Sequence, residues 1–256
     1  MITAAREKDL ISASDLLLDA RRTCRPIADL PKELRPTTLD EAYFIQDRMS
    51  WAYERIGGWK IGAPTPEATP SFAPMPADWM CRSGCDLRGI PHRYRGVEAE
   101  IAFKMGADLP PRATAYTRDE VIEAIASMHP AIEVLESALI DPDQATKLTS
   151  VADMAMHGGF AYGEAVSGWK DIDFTKESVS LAVDGAVRIE RTGSNTSGDL
   201  IRLLPWLANE GAGRTEGLRK GDWITTGSWT GNTIAAAGAM VEARFAHSGP
   251  VTVRFA

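Results

Sequence analysis

The chain has 256 residues, 44% of them hydrophobic and 25% charged, proportions of a folded globular protein that exclude long disordered segments. Its formal charge of −7 provides no basic footprint, so nucleic acid is set aside as a partner. No run of about 18 apolar residues occurs, and the opening MITAAREKDL lacks the apolar stretch of a signal peptide, so the expectation is a soluble, cytoplasmic protein with no membrane partner.

In chain order, Ala5 to Cys24 reads as an amphipathic helix, with Leu10, Ala13, Leu17 and Ala20 on one stripe. A second helix opens at the capping box Thr38-Leu39-Asp40-Glu41 and is expected to end at Gly57-Gly58. Trp59 to Gly62 is a short strand. The five prolines between Pro64 and Pro76 then suit a stiff connection or lid better than a ladder. Cys24, Cys81 and Cys85 are odd in number and lack a second Cys/His pair, which points to free thiols.

Beyond the prolines the pattern turns mostly to strands. Val97 to Lys104 alternates, Ala131 to Leu135 is a short apolar run, and Ser178 to Arg191 reads as a hairpin about Asp184-Gly185. Trp223 to Thr226, Ala239 to Ala246 and Val251 to Phe255 add further strands. Helices are expected after the capping box Thr117 to Glu120 and from about Asp199 to Asn209. The fold class is α+β: a small helical N-terminal region, 1–60, followed by a β-rich core, 61–256, the two forming one structural unit.

The candidate chemistry begins in Val97-Glu98-Ala99-Glu100-Ile101-Ala102-Phe103. Strand alternation sends Glu98 and Glu100 to one face, about 6.5–7 Å apart at Cα. Taken alone, such a pair is better explained by a solvent-facing strand. Glu133 adds weight, because it sits in the apolar run Pro130 to Leu135, where a carboxylate is costly to bury without a cation. That cation is either a metal or an arginine such as Arg188 or Arg202. Three carboxylates without histidine favour a hard ion, Mg²⁺ or Mn²⁺.

Lys60, between Trp59 and Ile61, is placed to be desolvated, and desolvation with a nearby cation favours the neutral amine that serves as a base. In the Gly/Ser/Thr loop after Thr226, backbone N–H groups and the hydroxyls of Ser228 and Thr230 are candidates for holding a substrate carboxylate.

Taken together, five stretches resemble one family. They are Leu39 to Gln46, Trp59-Lys60-Ile61-Gly62, Val97 to Phe103, Pro130-Ala131-Ile132-Glu133, and Gly221-Asp222 through Thr226 to Gly231. The family is the 2-oxopent-4-enoate hydratase and 4-oxalocrotonate decarboxylase branch of the fumarylacetoacetate hydrolase superfamily. The resemblance implies a mixed β-sandwich or roll, Mg²⁺ or Mn²⁺ on Glu98, Glu100 and Glu133, Lys60 as acid or base, and a homo-oligomer. It also implies a small 2-oxo acid or 2-hydroxydienoic acid substrate in aromatic-compound catabolism, and association with a pathway partner enzyme.

Asp78 is matched to an acidic residue that follows the loop in relatives. The chain departs from the family at Asp153-Met154-Ala155-Met156-His157-Gly158, where relatives tend to carry small polar residues, and His157 is therefore a candidate acid/base. Two alternatives stay open: a C–C bond hydrolase of the same superfamily, and a non-catalytic subunit of a hydratase/decarboxylase complex.

Overall fold

A computed structural model describes residues 2–87 and 91–256. Helix α1 (Ala4–Thr23) buries Leu10, Ala13, Leu17 and Ala20, the stripe expected from its periodicity. Helix α2 (Leu39–Ser50) is capped by Thr38, whose hydroxyl accepts from the Glu41 N–H. The Glu41 carboxylate does not close the box. It takes the N–H and hydroxyl of Thr37 and an ion pair from Arg6 of α1, and Arg6 holds it down to about 2.

Helix α2 stops at Ser50, earlier than Gly57-Gly58 had suggested, because those glycines lie inside strand β1 (Ile56–Gly62). A Cβ on Gly58 would fall 2.0 Å from the carbonyl oxygen of Trp223, so glycine serves the close approach of two strands. The second half of the proline stretch is also a strand, β2 (Ser71–Pro76), antiparallel to β1. It is tolerated because β2 is an edge, where Pro74 and Pro76 need no partner on their open side.

Strands β3 (Met80–Arg82) and β4 (Cys85–Asp86) follow, joined through Ser83-Gly84. The turn brings the Cα atoms of Cys81 and Cys85 to 6.2 Å and the sulfurs are bonded, which corrects the expectation of free thiols there; Cys24 alone stays free.

The core then builds through β5 (Gly96–Met105), α3 (Arg118–Glu123), β6 (Ile125–Leu135), α4 (Lys147–Ala152) and β7 (His157–Tyr162). The capping box at Thr117 is complete. Strands β8 (Ser178–Val183) and β9 (Ala186–Thr192) form the expected hairpin, with Asp184 and Gly185 both at positive φ as a primed turn requires. After them come α5 (Leu203–Asn209), α6 (Ala212–Thr215), β10 (Trp223–Thr225), β11 (Thr233–Ile234), β12 (Met240–Phe245) and β13 (Gly249–Arg254).

Among the described residues the strands form two sheets. The larger has eight strands in the order β2-β1-β10-β5-β6-β7-β3, with β11 on β5, and the smaller has the order β4-β13-β12-β8-β9. Val97, Ala99, Ile101 and Phe103 of β5 are buried in the apolar core that also takes in Leu181, Val241 and Val253 of the smaller sheet. Glu98 and Glu100 are thereby committed to the opposite face. The α+β class and the β-rich core are as expected; helices α1 and α2 pack with α4 in a separate apolar cluster beside that core. Among the described residues no helix is long and apolar enough to cross a membrane.

Candidate active site

Sheet register assembles the site. Glu98 of β5 is paired directly with Glu133 of β6, so the two carboxylates share a face, and Glu100 is two residues along on that face. Lys60 of β1 pairs with Thr225 of β10, which pairs with Ala102 of β5, so the lysine reaches the same face from the other side. Oxygens of the three glutamates lie within 4.8 Å of one another. Lys60 Nζ stands 2.7 Å from Glu133 Oε1 and donates to the Ala155 carbonyl at 2.9 Å. Neither Arg188 nor Arg202 is the partner of Glu133: Arg188 is exposed on β9, and Arg202 donates to the carbonyls of Thr65, Ala68 and Ser197.

The second layer fixes the carboxylates. Glu100 Oε2 accepts from the Thr225 hydroxyl and from the Gly227 N–H at 3.0 Å. Gly227 takes φ +83°, and its turn is held by Asn195, whose amide donates to the carbonyls of Thr226 and Gly227. Glu133 Oε1 also faces His157 Nδ1 at 2.9 Å. A carboxylate only accepts, so Nδ1 carries the proton and donates.

The cluster lines a cavity of about 280 Å³. The rest of its lining is uncharged and includes Ala63, Pro64, Ser71, Phe72 and Thr196. A larger open groove of about 580 Å³ lies over β8, β9 and β12 and holds no comparable cluster.

The expected site residues divide. Lys60, Glu98, Glu100, Glu133 and Ser228 line the cavity. Asp78 does not: it is exposed on a short 3₁₀ turn between β2 and β3 and is not among the residues that line the cavity. Thr230 is buried and its hydroxyl is occupied, accepting from the Ala99 N–H and donating to the Gly231 carbonyl, so it ties a loop to β5 and leaves no group for a ligand. His157 is fully buried against Trp79 behind Glu133 and lies outside the cavity lining. It supports a carboxylate; it is not placed to meet substrate. Thr225, Asn195 and the Ala155 carbonyl were missed. The run Ser194-Asn195-Thr196-Ser197-Gly198 was a readable signal for a polar turn.

Crowding sets the protonation. Burial and the charge of Glu133 push Glu98 up to about 7, against Lys60 and Ser228. Burial, Glu133 and Glu98 push Glu100 well above the ordinary carboxylate range. Burial also opposes the charge on Glu133, but Lys60 and His157 outweigh it and its pKa is lowered. For Lys60 burial pulls the pKa down, whereas Glu133, Glu98 and Glu100 more than offset it, so the amine is held as ammonium. This reverses the neutral amine expected from its apolar flanks. Three clustered carboxylates against one ammonium are short of positive charge, and a hard divalent cation matches an all-oxygen donor set at this separation.

A stability measurement tests the crowding. Glu98 rises from an ordinary 4.5 to about 7 on folding, so the folded state binds more protons between those values. Its contribution is full below the unfolded value and lost as pH rises through about 7. In chelator the melting temperature should fall between pH 6 and pH 8, and millimolar Mg²⁺ or Mn²⁺ should restore it. A flat profile indifferent to either ion would remove the crowding argument.

Residues 66–256 match the model of the fumarylacetoacetate (FAA) hydrolase C-terminal domain. The chain is similar to a 2-keto-4-pentenoate hydratase of Burkholderia vietnamiensis, 30% identical over 87% of this chain and 88% of that protein. It is also similar to the TodF product hydratase of Pseudomonas putida F1, 27% identical over 100% of this chain and 98% of the relative. In fold it resembles 4-oxalocrotonate decarboxylase from Pseudomonas putida G7, complexed with magnesium and adipate, with TM-score 0.83, 23% identity and full coverage of both chains.

Proposed function

The chain belongs to the fumarylacetoacetate hydrolase family and is an enzyme of the lyase class, and from that premise we propose that it hydrates a small monocarboxylic 2-hydroxydienoic acid, the enol form of a 2-oxo acid, with a divalent cation bound. The observation that carries this reading is the polarity of the cavity. All its charge belongs to one cluster, Lys60 with Glu98, Glu100 and Glu133, and the rest of the described lining holds no cation for a second carboxylate. The backbone there offers Ala63, Pro64 and Phe72, which suit a short apolar tail.

Glu98, Glu100 and Glu133 would hold Mg²⁺ or Mn²⁺, which supplies a Lewis acid for the 2-oxo and carboxylate end of the substrate and stabilises enolate charge. Lys60 is the amine at that end and moves the proton between nitrogen and the substrate carbon chain. Ser228 and the turn at Gly227 orient the carboxylate, and Phe72 with Pro64 excludes water from the tail. A C–C hydrolase would need a base to activate water on a carbonyl. His92, His129, His157 and His247 are each bonded elsewhere, to Gly158, Gly163, Glu133 and Glu177, and none lines the cavity.

Decarboxylation is the second reading, favoured by the fold shared with the decarboxylase, since the same electron sink accepts the pair left by CO₂. Two substrates separate the readings. With Mg²⁺, 2-hydroxypenta-2,4-dienoate should lose its dienol absorbance and yield a single hydroxylated 2-oxo acid without CO₂. A dicarboxylic 2-oxohexenedioate should be at least about tenfold poorer in kcat/KM, since an unpaired buried carboxylate costs over about 1.4 kcal/mol. Preference for the dicarboxylate with release of CO₂ would establish the decarboxylase, and metal binding without turnover of either acid would indicate a non-catalytic subunit. A cytoplasmic homo-oligomer that associates with a pathway enzyme remains part of the proposal, to be tested by sedimentation of the purified protein alone and with such a partner.

A further inference from the structure

Between α4 and β7 the backbone does something that Met-Ala-Met does not favour. Met154, Ala155 and Met156 all take positive φ, at 51°, 47° and 64°. Three consecutive non-glycine residues in the left-handed region are costly, and such strain persists only where the surroundings over-determine it.

The surroundings here are a buried guanidinium. Arg21, near the end of α1 and 6% exposed, bonds the Asp153 carboxylate, the carbonyls of Asp153 and Glu136 at 2.9 Å each, and the His157 carbonyl at 2.8 Å. The other oxygen of Asp153 accepts from the Ser137 hydroxyl and the Ala138 N–H. The strained turn is thus pinned at both ends by one side chain from the N-terminal helix.

Both outputs of the turn point at the same ion pair. The Ala155 carbonyl accepts from Lys60 Nζ at 2.9 Å, and His157 Nδ1 donates to Glu133 Oε1 at 2.9 Å. A bulge between Val134 and Leu135 sets His157 opposite Leu135, on the Glu133 side of the sheet, and the intervening Gly158 is required there because a Cβ would lie 2.4 Å from that of Glu136. The imidazole is wholly buried and stacked on Trp79, with ring centroids 5.9 Å apart, so it has no freedom to leave the carboxylate.

We propose that His157 and Arg21 are positioning residues: Arg21 clamps the left-handed turn, and through it the His157 imidazole and the Ala155 carbonyl fix Glu133 and Lys60 in the geometry that a divalent cation and substrate require. The inference rests on the reading of Glu133 as a metal ligand. It reaches beyond the chemistry to α1, which lies outside the matched FAA hydrolase domain.

The test is Mn²⁺ binding at fixed pH, read by electron paramagnetic resonance and calorimetry, with thermal melting to certify folding. Partners that orient a metal ligand are worth about 10–100-fold in affinity. His157→Phe keeps the stack on Trp79 and loses the donor, so affinity should fall by at least about tenfold, whereas His157→Asn, whose amide can stand where Nδ1 stood, should stay within about threefold of the parent. Arg21→Met should reproduce the loss and Arg21→Lys should recover part of it. If His157→Phe fails to fold, the Arg21 pair carries the same comparison, and a merely structural role would leave affinity unchanged in every folded variant. Parent-like affinity in folded His157→Phe or Arg21→Met overturns the positioning role while Glu133 remains a ligand; no Mn²⁺ bound by the parent protein overturns both.

Discussion

Replacing Lys60 by alanine is expected to lower kcat by roughly 10²–10⁴, the usual worth of a positioned proton-transfer group. The reason lies in the register. Lys60 is carried on β1 beside β10, and its amine is directed into the cluster by two acceptors, Glu133 at 2.7 Å and the Ala155 carbonyl at 2.9 Å. Among the described residues lining the cavity no other amine or imidazole is present to replace it. Mn²⁺ affinity should be retained or raised, because the variant removes a positive charge beside a ligand carboxylate. Lys60→Arg separates charge from proton transfer: it keeps a cation against Glu133 but holds its proton too tightly to exchange it, so kcat should stay low. Turnover unchanged in Lys60→Ala, measured by loss of dienol absorbance, would remove the lysine from the chemistry.

How far such residues could be read without the fold depends on the range of the interactions that place them. Glu98 and Glu100 were legible because a strand has period two, and Glu133 because a carboxylate among Ile132, Val134 and Leu135 must find a cation. That Glu98 faces Glu133 was not, since pairing of β5 with β6 joins residues 35 positions apart and no local pattern encodes it. The ammonium beside Glu133 was not legible for the same reason: Arg188 and Arg202 lie downstream in the chain, whereas Lys60 comes from an upstream strand. The left-handed turn at Met154 to Met156 had no signal at all, because none of its residues prefers positive φ. It is imposed by Arg21 from 132 positions upstream of Asp153. Thr230 shows the converse error, a polar residue in a promising loop whose hydroxyl is used by the neighbouring strand. The edge strand β2 was hidden by its prolines, each of which costs a ladder hydrogen bond inside a sheet and is harmless at its open margin.

Glu133→Gln is expected to have the largest effect on cation binding, with affinity for Mn²⁺ falling by more than ~100-fold, equivalent to about 3 kcal/mol for a lost charged ligand. The consequence for the metal-free protein is less obvious and more diagnostic. Loss of a buried ion-pair partner usually costs about 3–5 kcal/mol because the remaining charge is stranded. Lys60 would not be stranded here. Glu133 is what raises Glu98, second only to burial, and it is the largest charge acting on Glu100. Neutralising it lets those carboxyls ionise more readily, and both already act on the Lys60 ammonium. The ion pair should migrate from Glu133 to Glu98 and Glu100, at a stability cost below that range. A group whose folded pKa is raised loses its stabilising contribution as pH climbs through that pKa, so less elevation means a shallower decline. In chelator, the fall in melting temperature between pH 6 and pH 8 should therefore flatten in Glu133→Gln, and Mn²⁺ should no longer protect. If the variant instead keeps the parent's pH profile and its rescue by Mn²⁺, the charge that crowds Glu98 and Glu100 does not come from Glu133, and the cluster does not act as a single cation site.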